Sequence, residues 1–233
     1  MSLAPPIAST VRALTPAQRR GLSVGLATGL YGISFGALAV TAGLSVWQAS
    51  ALSALMFTGG SQFAFIGVVA GGGALGSATA AASLLGVRNA LYGVTANAML
   101  RPHGWRKLLA AQVTIDESIA TASGQDDPDE ERRGFWTAGA AVFVLWNLFT
   151  LVGALAGNAL GDPTVWGLDG AAVAAFLGLL WPRLSGRDPI AIAVVAAAVT
   201  LLAVPVVPAG LPIILAALVA ALMTWAHVRS RQR

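Results

Sequence analysis

The stretch from Ser83 to Gly93, Ser-Leu-Leu-Gly-Val-Arg-Asn-Ala-Leu-Tyr-Gly, lies at the centre of an apolar run from about Leu75 to Leu100. A helix over this run is long enough to cross a bilayer, which takes about 20 residues. Arg88 falls near its middle. A guanidinium group stays charged, and at the bilayer centre it costs at least about 2.5–3.5 kcal/mol on insertion scales. We therefore expect Arg88 to face a counter-charge or a wet cavity inside the protein, and we treat it as a candidate functional residue.

Composition indicates that the chain is an integral membrane protein. Of its 233 residues, 56% are hydrophobic and 10% are charged, and the mean hydropathy is +0.74. Soluble domains contain about 25% charged residues. We predict an integral membrane protein that contacts lipid. Its Lys and Arg residues lie between the apolar runs, which is typical of topology signals and not of a nucleic-acid surface.

Several kinds of chemistry lack their motifs. The chain has no phosphate-binding loop and no cysteine, and its two histidines, His103 and His227, are far apart near predicted span ends. ATP-driven pumping by this chain, thiol chemistry and a metal site are therefore not supported. We predict that the chain is not an enzyme and has no catalytic residues, metal or cofactor.

The order of apolar and polar segments predicts an all-α polytopic membrane protein with about six spanning helices and one broken or re-entrant segment. We expect a cytoplasmic N-terminal tail at 1–20, a single transmembrane transport domain at 21–228 with a polar cytoplasmic segment at 101–133, and a basic C-terminal tail at 229–233. The first span, Gly21–Ala42, carries glycines in small-xxx-small spacing. That spacing favours close helix packing, either within the chain or against a partner.

The apolar segment Trp47–Val69 is interrupted by the polar and glycine-rich residues Thr58–Gln62. Irregular backbone at membrane depth persists only where protein or cavity water satisfies it. Broken helices of this kind form many transporter sites. A glycine-rich packing kink is the alternative. We predict that the break interrupts helical bonding and faces the protein interior.

Three acidic residues are candidate charge partners. Asp116 and Glu117 lie in the short, mostly apolar stretch 108–123, which is either interfacial or re-entrant. They are the nearest candidate counter-charges for Arg88 by sequence position. Asp169 opens a later apolar segment, where a helix N-cap is the alternative role.

Charge also predicts the topology. If Trp47–Val69 enters the membrane and returns to the same side, every basic cluster falls on one side. The positive-inside rule makes that side the cytoplasm. We therefore predict that both termini are cytoplasmic in the plasma membrane or cell inner membrane, and that Arg19, Arg101, Arg106, Arg183 and Arg229 share that side.

Four short pieces carry a resemblance to a known family: Gly59–Phe63, Arg88 with Leu91–Gly93, Thr114–Glu117 and Gly167–Gly170. In their order and spacing the chain resembles the AzlC-type branched-chain amino acid permeases over nearly its whole length. The family usually carries Asn two residues before the arginine, where this chain has Gly86; Asn89 could replace that contact. The resemblance implies export of branched-chain amino acids together with a small membrane subunit of the AzlD type.

Two hypotheses follow. In the first, the chain is a secondary transporter in which Arg88 holds a substrate carboxylate, since its planar fork matches that group. In the second, it is a channel or structural membrane subunit in which Arg88 is a buried ion-pair staple. For the first, the predicted substrate-binding residues are Gly59, Gly60, Ser61, Gln62, Arg88, Asn89 and Tyr92, and the predicted charge-relay residues are Asp116, Glu117 and Asp169. Tyr92 follows Arg88 by four residues, so we expect both to border one polar cavity with Ser61 and Gln62.

Overall fold

The computed structural model describes residues 14–160, 165, 177, 180–181 and 184–231. Every extended element in these ranges is an α-helix, which confirms the all-α class. The helices are α1 Pro16–Thr41, α2 Val46–Leu55, α3 Gly60–Ala70, α4 Leu75–Leu100, α5 Trp105–Gln112, α6 Asp116–Ser123, α7 Pro128–Leu160, α8 Arg187–Ala203 and α9 Leu211–Arg231. Asp169 and Arg183 lie outside the described residues.

Three described helices are long and apolar enough to cross a bilayer: Pro16–Thr41, Pro128–Ala159 and Leu211–Ser230. They identify an integral membrane protein, as the composition predicts. The count of about six spans is not confirmed by these three and stays a prediction.

The glycines of α1 pack against α7 within the chain. A Cβ atom added to Gly25 would lie 2.5 Å from the Ala141 side chain, and one added to Gly36 would overlap the Thr150 carbonyl oxygen. On the α7 side of the contact, a Cβ atom added to Gly153 would overlap the Ile33 carbonyl of α1. The contacts advance in the same direction along both helices, so α1 and α7 are parallel. Of the two alternatives for this glycine face, packing within the chain is the one observed, because α7 covers the face that was the candidate surface for a partner subunit.

The predicted break is observed between α2 and α3, slightly earlier than expected. Helical structure stops at Leu55 and resumes at Gly60, with Gly59 at a φ of 57°, where glycine is strongly favoured. Ser61 and Gln62 belong to the first turn of α3 and are buried. The break faces the protein interior, as predicted.

Side chains satisfy the backbone groups that the break exposes. The fully buried Gln62 donates from Nε2 to the carbonyls of Leu52 and Ser53 at 3.1 and 3.2 Å, and its Oε1 accepts from the Gly59 N–H at 3.2 Å. Gln112 donates to the Ala54 carbonyl at 2.8 Å. An unpaired buried backbone group costs about 1–3 kcal/mol, so these bonds make the break tolerable at membrane depth.

The α2–α3 pair forms a hairpin that returns to the end of the molecule from which it enters. Ala42 and Leu44, which follow α1, line the same apolar groove as Val69 near the end of α3 and Leu75 at the start of α4. Both arms of the hairpin thus begin and end near the C-terminal end of α1, and the broken tip lies inside the protein.

The α5–α6 pair forms a second hairpin from the opposite end. Arg101, before α5, shares a cavity with Arg132 near the start of α7, and Gly124, after α6, lies beside the Arg20 side chain near the start of α1. The tip between α5 and α6 reaches the broken α2–α3 tip through the Gln112 bond. Of the two placements left open for 108–123, these contacts favour the re-entrant one.

Two units of the fold therefore repeat in opposite directions. Helix α1 is followed by the α2–α3 hairpin, and helix α4 is followed by the α5–α6 hairpin; α1 and α4 each have 26 residues. Helix α4 begins near the end of α1 and ends near the start of α7, which itself contacts the start of α1 where the Ala17 N–H donates to Glu130 at 3.3 Å. This is the arrangement of an inverted repeat.

Helices α8 and α9 add a pair at the side of α4. The turn between them lies near the α3–α4 turn, since a Cβ atom on Gly210 would contact Val68 and Ser77 at 3.1 Å. At the far ends of the pair, His227 Nε2 lies 3.2 Å from Asp188 Oδ2. Apart from the central Arg88, the basic side chains that the structure describes consequently share one end of the molecule: Arg19, Arg20, Arg101, Arg106, Lys107, Arg132, Arg133, Arg187 and Arg229.

Candidate functional site

Arg88 joins α4 to both hairpin tips. Its Nη1 donates to Asp116 Oδ2 at 2.6 Å, and its Nη2 donates to the Thr58 carbonyl in the α2–α3 break at 3.3 Å. The Arg88 side chain keeps 36% of its surface exposed and Asp116 keeps 14%. The charged pair is thus partly buried. It joins α4 to the α2–α3 break at Thr58 and to the start of α6 at Asp116.

Local structure sets the position of both charges. Asp116 is the first residue of α6, where the positive end of the helix dipole favours a carboxylate. Asn89, next to Arg88, donates to the Thr114 carbonyl at 3.2 Å and ties the α5–α6 tip to α4. The arginine therefore has a counter-charge, and the neighbouring asparagine fixes the segment that carries it.

Six buried polar side-chain atoms, two on this pair and four around it, make no hydrogen bond within the described part of the chain. They are Thr58 Oγ1, Ser61 Oγ, Arg88 Nε, Asn89 Oδ1, Asp116 Oδ1 and Trp146 Nε1. Unpaired buried polar atoms are rare in native proteins and call for a functional explanation. Their concentration around one ion pair indicates a place where a polar ligand or water binds.

Four of these six residues line one enclosed cavity, which we call the central cavity. Its lining comprises Thr28, Phe57, Thr58, Gly59, Gly60, Arg88, Ile115, Asp116, Glu117, Val142 and Trp146. The space open to the centres of water molecules is about 40 Å³. A single water needs roughly 10–15 Å³ by this measure, whereas pockets for drug-sized ligands have about 300 Å³ or more. The central cavity in this conformation thus has room for a few waters and is too small for an amino acid.

A larger outer cavity adjoins the central one. It has about 390 Å³ and is lined by Arg20, Val24, Tyr92, Asp116, Glu117, Ile119, Ala120, Thr121 and Ser123. Asp116 and Glu117 line both cavities, and Thr28 lines the central cavity with them. The two acids therefore separate the central cavity from an opening at the Arg20 end.

The structure brings most of the predicted site residues close together, but they do not all line the same cavity. Arg88, Gly59, Gly60, Asp116 and Glu117 line the central cavity. Tyr92 lines the outer cavity, and Asn89 lies behind Arg88 against the α5–α6 tip. Gln62 and Ser61 are buried in the first turn of α3, where Gln62 bonds the backbone of the break.

Gly86, where the resemblance leads us to expect an asparagine, lies beside a buried serine hydroxyl. A Cβ atom on Gly86 would lie 3.5 Å from Ser61 Oγ, one of the six unpaired atoms. An asparagine at this position would therefore reach the serine hydroxyl. Asn89 does not replace that contact, because it points to Thr114.

Sequence reasoning missed Gln112, Thr28 and Trp146. Gln112 was a polar residue in a short apolar segment, which is the signal that singled out Asp116. Thr28 and Trp146 lie in ordinary apolar spans, and only the tertiary contacts give them a place at the site. Within the described ranges, no three His, Cys, Asp or Glu side chains gather as metal ligands would.

Long apolar helices, two opposed hairpins and a partly buried ion pair between their tips are typical of helical membrane proteins that move solutes. Residues 23–160, more than half of the chain, match the family described as AzlC protein, and the chain belongs to that family. The match covers α1 to α7 almost completely and so includes both inverted units. The protein is thus embedded in lipid and its function relates to membrane transport. No curated protein and no solved structure matches the chain.

Proposed function

We propose that the chain is the transport subunit of a secondary exporter of branched-chain amino acids, with the substrate bound in the central cavity. The observation that carries this proposal is the Arg88–Asp116 pair at 2.6 Å, with two unpaired buried polar atoms on the pair and four more around it. Opposite charges with spare hydrogen-bonding capacity match a zwitterion, which carries a carboxylate and an ammonium group on one carbon.

Substrate binding is then an exchange of ion pairs. The carboxylate of the amino acid binds the Arg88 guanidinium, whose Nε is still free to donate a hydrogen bond. The ammonium group of the amino acid binds Asp116, whose Oδ1 is still free to accept one. Neither charge is left unpaired at any stage, which matters because a lone buried charge costs several kcal/mol. Phe57, Val142 and Trp146 supply an apolar wall for a branched side chain.

The inverted units supply a route for alternating access. Opposed hairpins that meet at midplane let one side open while the other stays closed. Because the central cavity is too small for leucine, the hairpin tips must separate when the substrate enters. We assign the shared basic end to the cytoplasm by the positive-inside rule, with both termini there. The outer cavity at Arg20 is then the cytoplasmic entrance from which an exporter loads.

The family membership supports a small AzlD-type subunit as partner. Its docking face differs from the α1 glycine face, which α7 covers. The proposed role includes no enzymatic step, since binding and charge exchange by Arg88, Asp116 and Glu117 break no covalent bond.

The second candidate is a channel or structural subunit in which the Arg88–Asp116 pair only holds the hairpins together. The short pair distance and the closed cavity favour it. Labelled leucine counterflow in liposomes containing the full chain, alone and with the small subunit, distinguishes the candidates. A transporter accelerates uptake of label when the vesicles are preloaded with leucine; a channel or a staple gives no acceleration.

A further inference from the structure

A cationic cavity lies apart from the central site, where α4 ends and α7 begins. It has about 250 Å³, and its walls include Arg101, Arg106 and Arg132 with His103 and Trp136. Among the residues that the structure describes, none that lines this cavity carries a carboxylate. Three guanidinium groups around one space repel each other unless an anion lies between them.

The backbone brings these arginines together at some cost. Arg101 follows the last residue of α4 with a φ of 46°, the left-handed region that favours glycine, and it is the one described residue other than glycine with a positive φ. Gly104 follows at a φ of 55°, and the two turns direct α5 back towards α7. Arg132 also lies 3.4 Å from Asp129, but both side chains are at least half exposed, so this pair neutralises the cavity weakly.

Helix α5 places the cavity at a membrane surface. Trp105, Leu108 and Leu109 follow helical i, i+3 and i+4 spacing and keep 67%, 75% and 47% of their surface exposed. Arg106 and Lys107 are exposed on the rest of the helix. An exposed apolar stripe with adjacent cations is typical of a segment at the interface between headgroups and acyl chains. The first turns of α5 therefore lie at that interface, and the end of the helix at Gln112 reaches into the protein.

We propose that this cavity binds the phosphate of an anionic phospholipid headgroup, with the acyl chains running along the exposed stripe of α5. Guanidinium groups donate in a planar fork that matches phosphate oxygens, and Trp136 and the α5 stripe fit the apolar part of a lipid. A free phosphate ion shares the headgroup chemistry but gains nothing from the apolar stripe. This site is separate from the central cavity and does not depend on what the protein transports.

The test measures lipid retention by the full chain. The protein is reconstituted in bilayer discs of phosphatidylcholine and phosphatidylglycerol, and native mass spectrometry counts the lipid of each kind that stays bound after extraction. The variants are Arg106→Gln and Arg132→Gln, with Lys107→Gln as the matched control: it removes the same charge from the same helix but does not line the cavity. All three side chains are exposed, so folding is expected to persist and is checked by elution profile.

We expect each arginine variant to retain about fivefold less phosphatidylglycerol relative to phosphatidylcholine, and the lysine variant to match the unchanged protein. An equal loss in Lys107→Gln would overturn the site, because it would mean diffuse attraction to anionic lipid. Inorganic phosphate is the second arm. If millimolar phosphate displaced the retained phosphatidylglycerol, or stabilised the lipid-free protein in an Arg106-dependent way, the lipid assignment would be wrong and the site would take free phosphate.

Discussion

Replacing Arg88 tests whether the ion pair binds substrate or only holds the fold. Arg88→Ala removes a contact of 2.6 Å to Asp116 and one of 3.3 Å to the Thr58 carbonyl. An exposed pair contributes about 0–1 kcal/mol, and breaking a fully buried one costs about 3–5 kcal/mol. With 36% and 14% of the two side chains exposed, we expect a loss of about 2–3 kcal/mol in the free energy of unfolding.

Arg88→Lys separates the two roles. Lysine keeps the charge near Asp116 but cannot contact two groups in one plane, so the folded protein should lose only about 1 kcal/mol. A substrate carboxylate would lose one charge-assisted hydrogen bond, worth about 1.5–3 kcal/mol, and leucine counterflow should fall roughly 10- to 100-fold. If the pair only holds the hairpins together, the Arg88→Lys variant should show the same leucine counterflow as the unchanged protein.

The chain supplies a matched control in Arg133, which pairs with Glu130 at the same 2.6 Å but lies outside the cavities with 49% of its side chain exposed. Arg133→Lys and Arg133→Ala should change stability by less than about 1 kcal/mol and leave counterflow unchanged. The assays are thermal unfolding in detergent, membrane expression and counterflow in liposomes. Normal counterflow by a well-expressed Arg88→Ala variant would refute both roles.

Three further predictions concern packing, the helix break and topology. Gly36→Ala should sharply reduce the yield of folded protein because its Cβ would overlap α7 backbone, whereas Gly67→Ala, with open space around it, should not; equal yields would contradict the tight α1–α7 contact. Gln62→Leu should destabilise the fold by about 2–4 kcal/mol in thermal unfolding, since one carbonyl and one N–H of the break lose their partners. In a chain with no native cysteine, Arg101→Cys and Arg229→Cys should both react with an impermeant thiol reagent only after the cytoplasmic side is opened; labelling of position 101 alone from outside would show that the topology is wrong.

The sequence determined the main chemistry of the site. A permanent charge in the middle of an apolar run requires a partner, and the nearest acids in an otherwise apolar segment were Asp116 and Glu117. The structure pairs Arg88 with Asp116 and places Glu117 beside it. The break was predicted from adjacent glycines beside Ser and Gln at membrane depth, with a packing kink as the alternative, because irregular backbone there must face protein or cavity water.

Other features depended on contacts between distant segments. The spacing of glycines in α1 indicated close packing but not with which helix, and the folded chain selects α7. Gln62 was predicted to bind substrate and Gln112 was not singled out, yet both amides bond carbonyls near the end of α2. A side-chain amide has no sequence signature that tells ligand binding from backbone capping, since both use the same donors and acceptors.

Sequence alone therefore determined that the protein lies in a membrane and that Arg88 must face a counter-charge or a wet cavity, and it predicted that the second apolar segment is broken. Each of these follows from the cost of placing a charge or a free backbone group in hydrocarbon, which is a local property of the chain. The tertiary structure decided that two hairpins enter from opposite ends, that their tips meet at Arg88, and that the cavity between them is closed. Those features depend on which surfaces pack together over more than a hundred residues, and no local free-energy term specifies that choice.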